Sequence, residues 1–125
     1  MTVTVHHLNN SRSQRILWLL EELNTDYDIV PYQRDAETNL APPELKQVHT
    51  LGKSPLIEDN GLQVAESGAI IQYLCERHGG GSWLPEADTE DHVRHLEWMQ
   101  FGESSFFVPV MLKLYTGRLG DAAAA

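Results

Sequence analysis

The sequence has little cysteine, few basic residues and no long apolar run. Its 125 residues include one cysteine, so an internal disulfide is impossible and a reducing cytoplasm is the expected location. Nine lysines and arginines against 18 acidic residues give a formal charge of −9, which disfavours nucleic acid and anionic lipid as partners. No apolar run reaches the roughly 18 residues of a membrane span, and the first residues do not resemble a secretory signal.

What remains is typical of an ordinary folded protein. The chain is 42% hydrophobic and 22% charged, as in globular domains. Its mass of 14.1 kDa is enough for one domain with a core, but not for two full-sized domains. We therefore expect a soluble protein with one complete domain and at most part of another.

The first part of the chain predicts a strand, a helix and a second strand. Val3 to Leu8 begins with β-branched residues and ends at residues that favour turns. From Ser13 to Asn24, apolar residues recur at the i, i+3, i+4 and i+7 spacing of one helix face. Tyr27 to Tyr32 reads as a strand whose proline favours a sheet edge. This order is typical of a parallel βαβ unit.

A short helix, a hairpin and a longer helix are predicted next. Prolines near the start of residues 41–46 suit a short helix. Asn60-Gly61 supplies the two positive φ angles of a type I′ turn between strands at 54–59 and 62–64. A helix then starts near Glu66 and ends at the glycine triplet that begins at Gly79.

A change in composition predicts a domain boundary after this helix. We place one domain at residues 1–80, a linker at 81–87 and the start of an all-helical domain at 88–125. Asp88 is the expected N-cap of the next helix, and Pro109 predicts a kink or break near Phe106. Because the aromatic residues that follow have nothing left in the chain to pack on, we expect the chain to be cut short after the first helix of that domain.

Three motifs in order carry a family resemblance. They are His7-Leu-Asn-Asn-Ser-Arg-Ser-Gln-Arg15, Leu51-Gly-Lys-Ser-Pro55 and Glu66-Ser-Gly-Ala-Ile70. With them, the chain resembles a glutathione S-transferase of the bacterial and fungal type with a serine near the start of its first helix. The resemblance spans residues 3 to about 118. It implies an α/β fold, with a thioredoxin-like glutathione-binding domain followed by an all-helical domain, and a homodimer in the full-length form.

The resemblance aligns Ser11 with the family's catalytic serine. A thiol titrates near pH ~8.5, and lowering its pKa by about two units requires ~2.7 kcal/mol of thiolate stabilisation. One hydrogen bond to a charged group supplies about 1.5–3 kcal/mol, and a helix N-terminus about 0.3–1 kcal/mol more. Ser11 would thus donate a hydrogen bond to the sulfur of glutathione. Ser11 can also be read as a helix cap, with Asn10 or Ser13 facing the sulfur instead.

The other two motifs imply the rest of the glutathione site. Ser54-Pro55 corresponds to the cis-proline that pairs with the extended tripeptide. Ser67 and Glu66 would hold the γ-glutamyl carboxylate and ammonium, although both residues also suit the start of a helix. Lys53, helped by His49, would hold the glycyl carboxylate.

The implied reaction adds the glutathione thiolate to an electrophilic, apolar small molecule, as in detoxification. Part of the second-substrate pocket would come from Phe106, Phe107, Met111 and Tyr115. Two alternatives stay open: a non-catalytic protein-interaction module, because the last helix is apolar, and a glutathione-dependent peroxidase or reductase.

Two other chemistries are disfavoured. His92 and His95 lack the spacing of a zinc motif, so we expect no metal. A dithiol oxidoreductase needs cysteine at the first helix, where this chain has serine. The one cysteine, Cys75, falls on the apolar side of its helix and reads as core filler.

Overall fold

A computed structural model describes residues 2–124. The chain divides into two compact units, Met1–Trp83 and Leu84–Ala125. In the first unit a four-stranded sheet has the order β2-β1-β3-β4. The strands are β1 (Val3–Leu8), β2 (Tyr27–Tyr32), β3 (Leu56–Asp59) and β4 (Leu62–Ala65).

The strand directions confirm the predicted α/β, thioredoxin-like arrangement. β1 runs parallel to β2, with Val3 opposite Tyr27, and antiparallel to β3, with Val5 opposite Ile57. β3 and β4 form the predicted hairpin. Its turn residues have positive φ angles, 52° at Asn60 and 82° at Gly61, as a type I′ turn requires.

Two longer helices of the first unit cover the core. They are α1 (Ser13–Glu22) and α3 (Ser67–His78). The core cluster combines residues of β1, β3 and these helices, which bury their apolar positions together. Cys75 is also buried, and burial raises the pKa of its thiol, in agreement with its reading as a core residue. The cluster consists of Val3, Val5, Ile16, Leu20, Ile57, Ile70 and Leu74.

The short helix α2 (Leu45–Val48) begins later than predicted. Ala41 and Pro42 each precede a proline, and the proline ring disfavours helical backbone at the preceding residue. Residues 42–44 therefore form turns, in which Leu45 N donates to Pro42 O at 3.2 Å.

The second unit is helical from α4 (Glu90–Gln100) through a π-helical segment (Phe101–Phe106) to α5 (Phe107–Arg118), and a 3₁₀ turn (Gly120–Ala124) follows. The predicted break near Phe106 is absent, since α5 follows the π-helical segment without interruption. The wider π-helical turns end at Phe106, three residues before Pro109, which lacks an N–H, and the kink stays a prediction. The Asp88 cap was wrong: Asp88 has a φ of 63°, and Thr89 caps α4 by accepting from His92 N at 3.2 Å. Among residues 2–124 no helix is long and apolar enough to cross a membrane.

Candidate functional site

A concave site, open to solvent, lies in the first unit where β3 begins and β4 ends. It brings together residues from the start of α1, from the loop before β3, from β4 and from the start of α3. Its lining consists of Arg12, His49, Leu51, Lys53, Ser54, Pro55, Ala65, Glu66 and Ser67.

The floor of this site is formed by the Ser54-Pro55 peptide bond, which is cis, as the resemblance implied. The Ser54 hydroxyl donates to His6 O at 2.8 Å and accepts from Leu8 N at 3.3 Å. The side chain thus extends the contact between β1 and this part of the chain to Ser54, two residues before the first residue of β3. This bond to the strand fixes the loop before Pro55.

The N-terminus of α3 has no side-chain cap. Glu66 has φ 72° and ψ 123°, a sparsely populated backbone region in which non-glycine residues concentrate at functional sites. The Ser67 side chain is 3% exposed, and its Oγ has no hydrogen-bond partner among the described residues. A buried hydroxyl without a partner costs about 1–3 kcal/mol. The site therefore contains a polar group that favours a ligand atom beside it, next to the positive end of a helix dipole.

The loop before β3 brings a lysine and a histidine to the site. Gly52 has a φ of 57°, and a Cβ there would lie 2.5 Å from Lys46 Cγ, so this turn requires glycine. The turn leaves Lys53 exposed, without an ion-pair partner in residues 2–124. His49 lies beside it, and its Nδ1 accepts from Leu51 N at 3.4 Å.

The β1–α1 loop holds a chain of side-chain hydrogen bonds. Ser11 Oγ lies 2.7 Å from Ser13 Oγ and accepts from Ser13 N at 3.2 Å. Ser13 Oγ lies 2.8 Å from His7 Nδ1 and 3.3 Å from Leu8 O. Because Ser13 is fully buried, it cannot face a ligand, which leaves Ser11 and the exposed Asn10 as the hydroxyl or amide available in this loop.

Arg34 holds the same loop from the end of β2. Its backbone N donates to Asn9 Oδ1 at 2.7 Å and its Nε to Asn9 O at 3.1 Å. Its Nη2 donates to Asn10 O at 3.3 Å. The carbonyls next to Ser11 are thereby fixed before any ligand arrives.

Residues 1–76 match the family model described as glutathione S-transferase, N-terminal domain. The chain belongs to the glutathione S-transferase family. The resemblance found in the sequence is thereby confirmed.

Related proteins support the same family. Glutathione S-transferase 1 of Saccharomyces cerevisiae is 39% identical over 128 residues, covering 96% of this chain and 53% of the yeast protein. Glutathione S-transferase 3 of Schizosaccharomyces pombe is 40% identical over 103 residues, covering 82% of this chain and 42% of that protein. The chain thus spans about half the length of these glutathione S-transferases.

Solved structures agree with the fold. A glutathione S-transferase of Actinobacillus pleuropneumoniae has a TM-score of 0.84 at 38% identity and covers 98% of this chain and 58% of its own. A theta class enzyme of Xanthomonas axonopodis pv. citri, solved with glutathione bound, has a TM-score of 0.69 at 24% identity and covers 84% of this chain and 50% of its own. At that identity the second structure supports the fold alone.

The residues that the resemblance assigns to the function divide into three groups. His49, Lys53, Ser54, Pro55, Glu66 and Ser67 line one site. Ser11 and Asn10 are not in this lining, although Arg12, next in sequence, is. Phe106, Phe107, Met111 and Tyr115 belong to the second unit, where Phe107 and Met111 are half-buried and the other two exposed.

Sequence reasoning missed several residues of the site. Arg12, Leu51 and Ala65 line it, and Arg34 and His7 support its loop. Arg12 directly follows Ser11 in the first motif, so its place at the start of the first helix was visible in the sequence. His7 is the first residue of the first motif, although the motif assigned it no role, and no sequence signal connects Arg34 to this loop. Among residues 2–124 no cluster of side chains is suited to hold a metal ion.

Proposed function

We propose that this chain provides the glutathione site of a glutathione S-transferase, which adds the glutathione thiolate to an electrophilic, apolar small molecule. The observation that carries the proposal is the buried Ser67 hydroxyl, which has no partner at the uncapped start of α3. A carboxylate at this position would accept from that hydroxyl and from the first backbone N–H groups of the helix. The γ-glutamyl carboxylate of glutathione is such a group.

The charges of the site match the rest of the tripeptide. Glutathione carries two carboxylates and one ammonium. The lining contains the cations Lys53 and Arg12 and the carboxylate of Glu66. We assign Glu66 to the ammonium, Lys53 to the glycyl carboxylate with His49 beside it, and the cis Ser54-Pro55 backbone to the cysteinyl segment.

The sulfur is assigned to the start of α1. Ser11 would donate its hydroxyl proton to the thiolate, and the helix dipole would add to that stabilisation. In the whole protein we place the electrophile beside Phe106, Phe107, Met111 and Tyr115, and we expect a homodimer in the cytoplasm. The assignment of Ser11 to the sulfur rests on the family motifs and on its partial exposure, since Ser13 is buried.

Calorimetric titration of the chain with glutathione tests the site. We expect saturable binding that Ser67→Ala weakens about 10-fold or more, because a hydrogen bond to a charged group is lost. The matched control is Ser82→Ala, since the Ser82 hydroxyl donates to Gly79 O outside the site and its loss should leave the affinity unchanged.

Ser11→Ala should keep the affinity and lose turnover of an activated aryl halide. Absence of heat with the folded chain would reject the site, and full turnover by Ser11→Ala would move the sulfur contact to Asn10.

One observation favours a second candidate, a protein-interaction module. Exposed apolar side chains on α4 and α5 include Trp98, 69% exposed, and Leu112, 58% exposed, and unpartnered apolar surface commonly marks an interface. This candidate predicts partner binding that does not depend on glutathione. Glutathione-dependent reduction of peroxides would use the proposed site with another acceptor, and a substrate panel separates it from transfer.

A further inference from the structure

The hydrogen-bond chain from Ser11 into the protein interior ends at an imidazole. Ser11 Oγ, Ser13 Oγ and His7 Nδ1 are joined by distances of 2.7 and 2.8 Å. His7 lies on β1 and is half-buried, whereas Ser13 is fully buried at the start of α1. Ser13 therefore exchanges hydrogen bonds only with protein groups, and its single proton must be shared among fixed neighbours.

Counting protons shows when Ser11 can donate outward. Ser11 Oγ already accepts from Ser13 N at 3.2 Å, and a hydroxyl has one proton and two acceptor positions. If the Ser13 hydroxyl donates to Ser11, both acceptor positions are filled and the Ser11 proton must point away from the loop. If the Ser13 hydroxyl donates to His7 or to Leu8 O, the Ser11 proton points inward to Ser13 and is not available to a ligand.

The state of His7 decides between these arrangements. When Nδ1 carries a proton, it donates to Ser13 Oγ and leaves the Ser13 proton for Ser11, 2.7 Å away. When Nδ1 is bare, it draws the Ser13 proton to itself, and Ser13 then takes the proton of Ser11. In a third arrangement the Ser13 hydroxyl donates to Leu8 O. This hydrogen bond is the longest of the three that Ser13 Oγ can make, at 3.3 Å, and is therefore the weakest.

We propose that His7 and Ser13 are positioning residues that direct the Ser11 hydroxyl proton outward, toward the sulfur of bound glutathione. The proposal rests on the proposed function. A thiolate beside Ser11 accepts only the outward proton, so its binding selects the form of His7 with a proton on Nδ1. Donation along the chain also polarises the Ser11 hydroxyl and makes it a better donor.

The experiment compares variants of His7 in the folded chain saturated with glutathione at one neutral pH. His7→Phe removes the N–H that fills an acceptor position of Ser13 Oγ and polarises its hydroxyl, so Ser13 can accept the Ser11 proton while it donates its own proton to Leu8 O. We expect the ratio of thiolate to thiol, read from thiolate ultraviolet absorbance, to fall about three- to tenfold, with the glutathione dissociation constant unchanged. His7→Asn restores an N–H near the position of Nδ1 and should recover most of the thiolate signal. His95→Phe, a matched change on α4, should leave it unchanged.

Nitrogen NMR of His7 gives an independent readout that does not depend on how a variant folds. With glutathione bound, Nδ1 should carry a proton. A bare Nδ1, or a full thiolate signal in folded His7→Phe, would overturn the role of His7 while leaving the glutathione site intact. If the wild-type chain binds no glutathione, the proposed function itself fails, and the role of His7 fails with it.

Discussion

The two units of the chain differ in how they use apolar residues. In Met1–Trp83, strands and helices enclose a core whose central side chains are fully buried. In the second unit, α4, the π-helical segment and α5 contain no buried residue. Its exposed large side chains are Val93, Leu96, Trp98, Phe101, Phe106, Val108, Val110, Leu112, Leu114, Tyr115 and Leu119.

This difference shows that an apolar helix stabilises a fold only when a partner covers it. α1 and α5 both contain several leucines, yet Leu20 of α1 is fully buried and Leu112 of α5 is 58% exposed. Transfer of apolar surface out of water contributes about 25 cal/mol per Å², and α5 gains little of this contribution within the chain. Stability of the chain should therefore arise in the first unit.

The largest effect is expected from truncating Leu20. Leu20→Ala truncates a buried side chain that is 0% exposed to solvent. It leaves a cavity in the core cluster that also contains Ile16 and Val5. We expect a loss of about 2–5 kcal/mol in the free energy of unfolding, measured by urea denaturation. The same change at Leu112 should alter that free energy by no more than about 0.5 kcal/mol.

Equal losses for the two leucine variants would contradict the difference between the units. A large loss at Leu112 alone would show that α5 is packed in solution. In either case the matched chemistry, leucine to alanine on a helix, removes differences in side-chain size from the comparison.

A smaller effect is expected at the buried carboxylate of the first unit. Asp59 is 1% exposed, accepts from Tyr73 Oη at 3.0 Å and lies 2.8 Å from His78 Nε2. Burial raises the pKa of Asp59, but the hydrogen bonds to His78 and Tyr73 outweigh burial and hold the pKa below 3.8. Asp59→Asn should cost about 1–2 kcal/mol at neutral pH.

The pH dependence identifies the source of that cost. Because the pKa of Asp59 is lower in the folded chain, its contribution is complete above pH 3.8 and is lost as the pH falls from there toward the folded pKa. Urea denaturation should thus show the gap between wild type and Asp59→Asn narrowing in acid. The exposed pair Arg94–Glu97 of the second unit is the control: Glu97→Gln should change stability by less than about 0.5 kcal/mol. A gap that stays constant in acid would exclude the carboxylate charge as its cause.

The sequence predicted those parts of the fold that local periodicity determines. The bounds of β1 and β2 agree with the predicted ones, and the Asn60-Gly61 turn formed as expected. The start of α2 and the cap of α4 were missed. Both helix starts depend on the conformation of adjacent residues. The ring of Pro43 disfavours helical backbone at Pro42, and Thr89 takes the N-cap position in place of Asp88. Hydrophobic periodicity does not determine either of these positions.

Only those residues of the site that lie in contiguous sequence motifs were predictable. Glu66, Ser67 and Ser54-Pro55 lie in contiguous motifs and line one pocket in the structure. Arg34 contacts Asn9 across 25 positions of sequence. His7 and Ser13 belong to one motif, but their side chains meet only because β1 and α1 pack together there. Such contacts follow from the three-dimensional pairing of elements and leave no pattern in the sequence.

The smallest effect distinguishes the N-termini of α3 and α4. α3 starts without a side-chain cap, and in our proposal glutathione takes that place, whereas α4 is capped by its own Thr89. Thr89→Ala should destabilise α4 by about 1 kcal/mol, seen as faster amide hydrogen exchange in its first turn. Thr89→Ser keeps the hydroxyl and should stay within a few tenths of the wild-type value. Equal exchange in the alanine and serine variants would show that the Thr89 hydroxyl does not hold the start of α4.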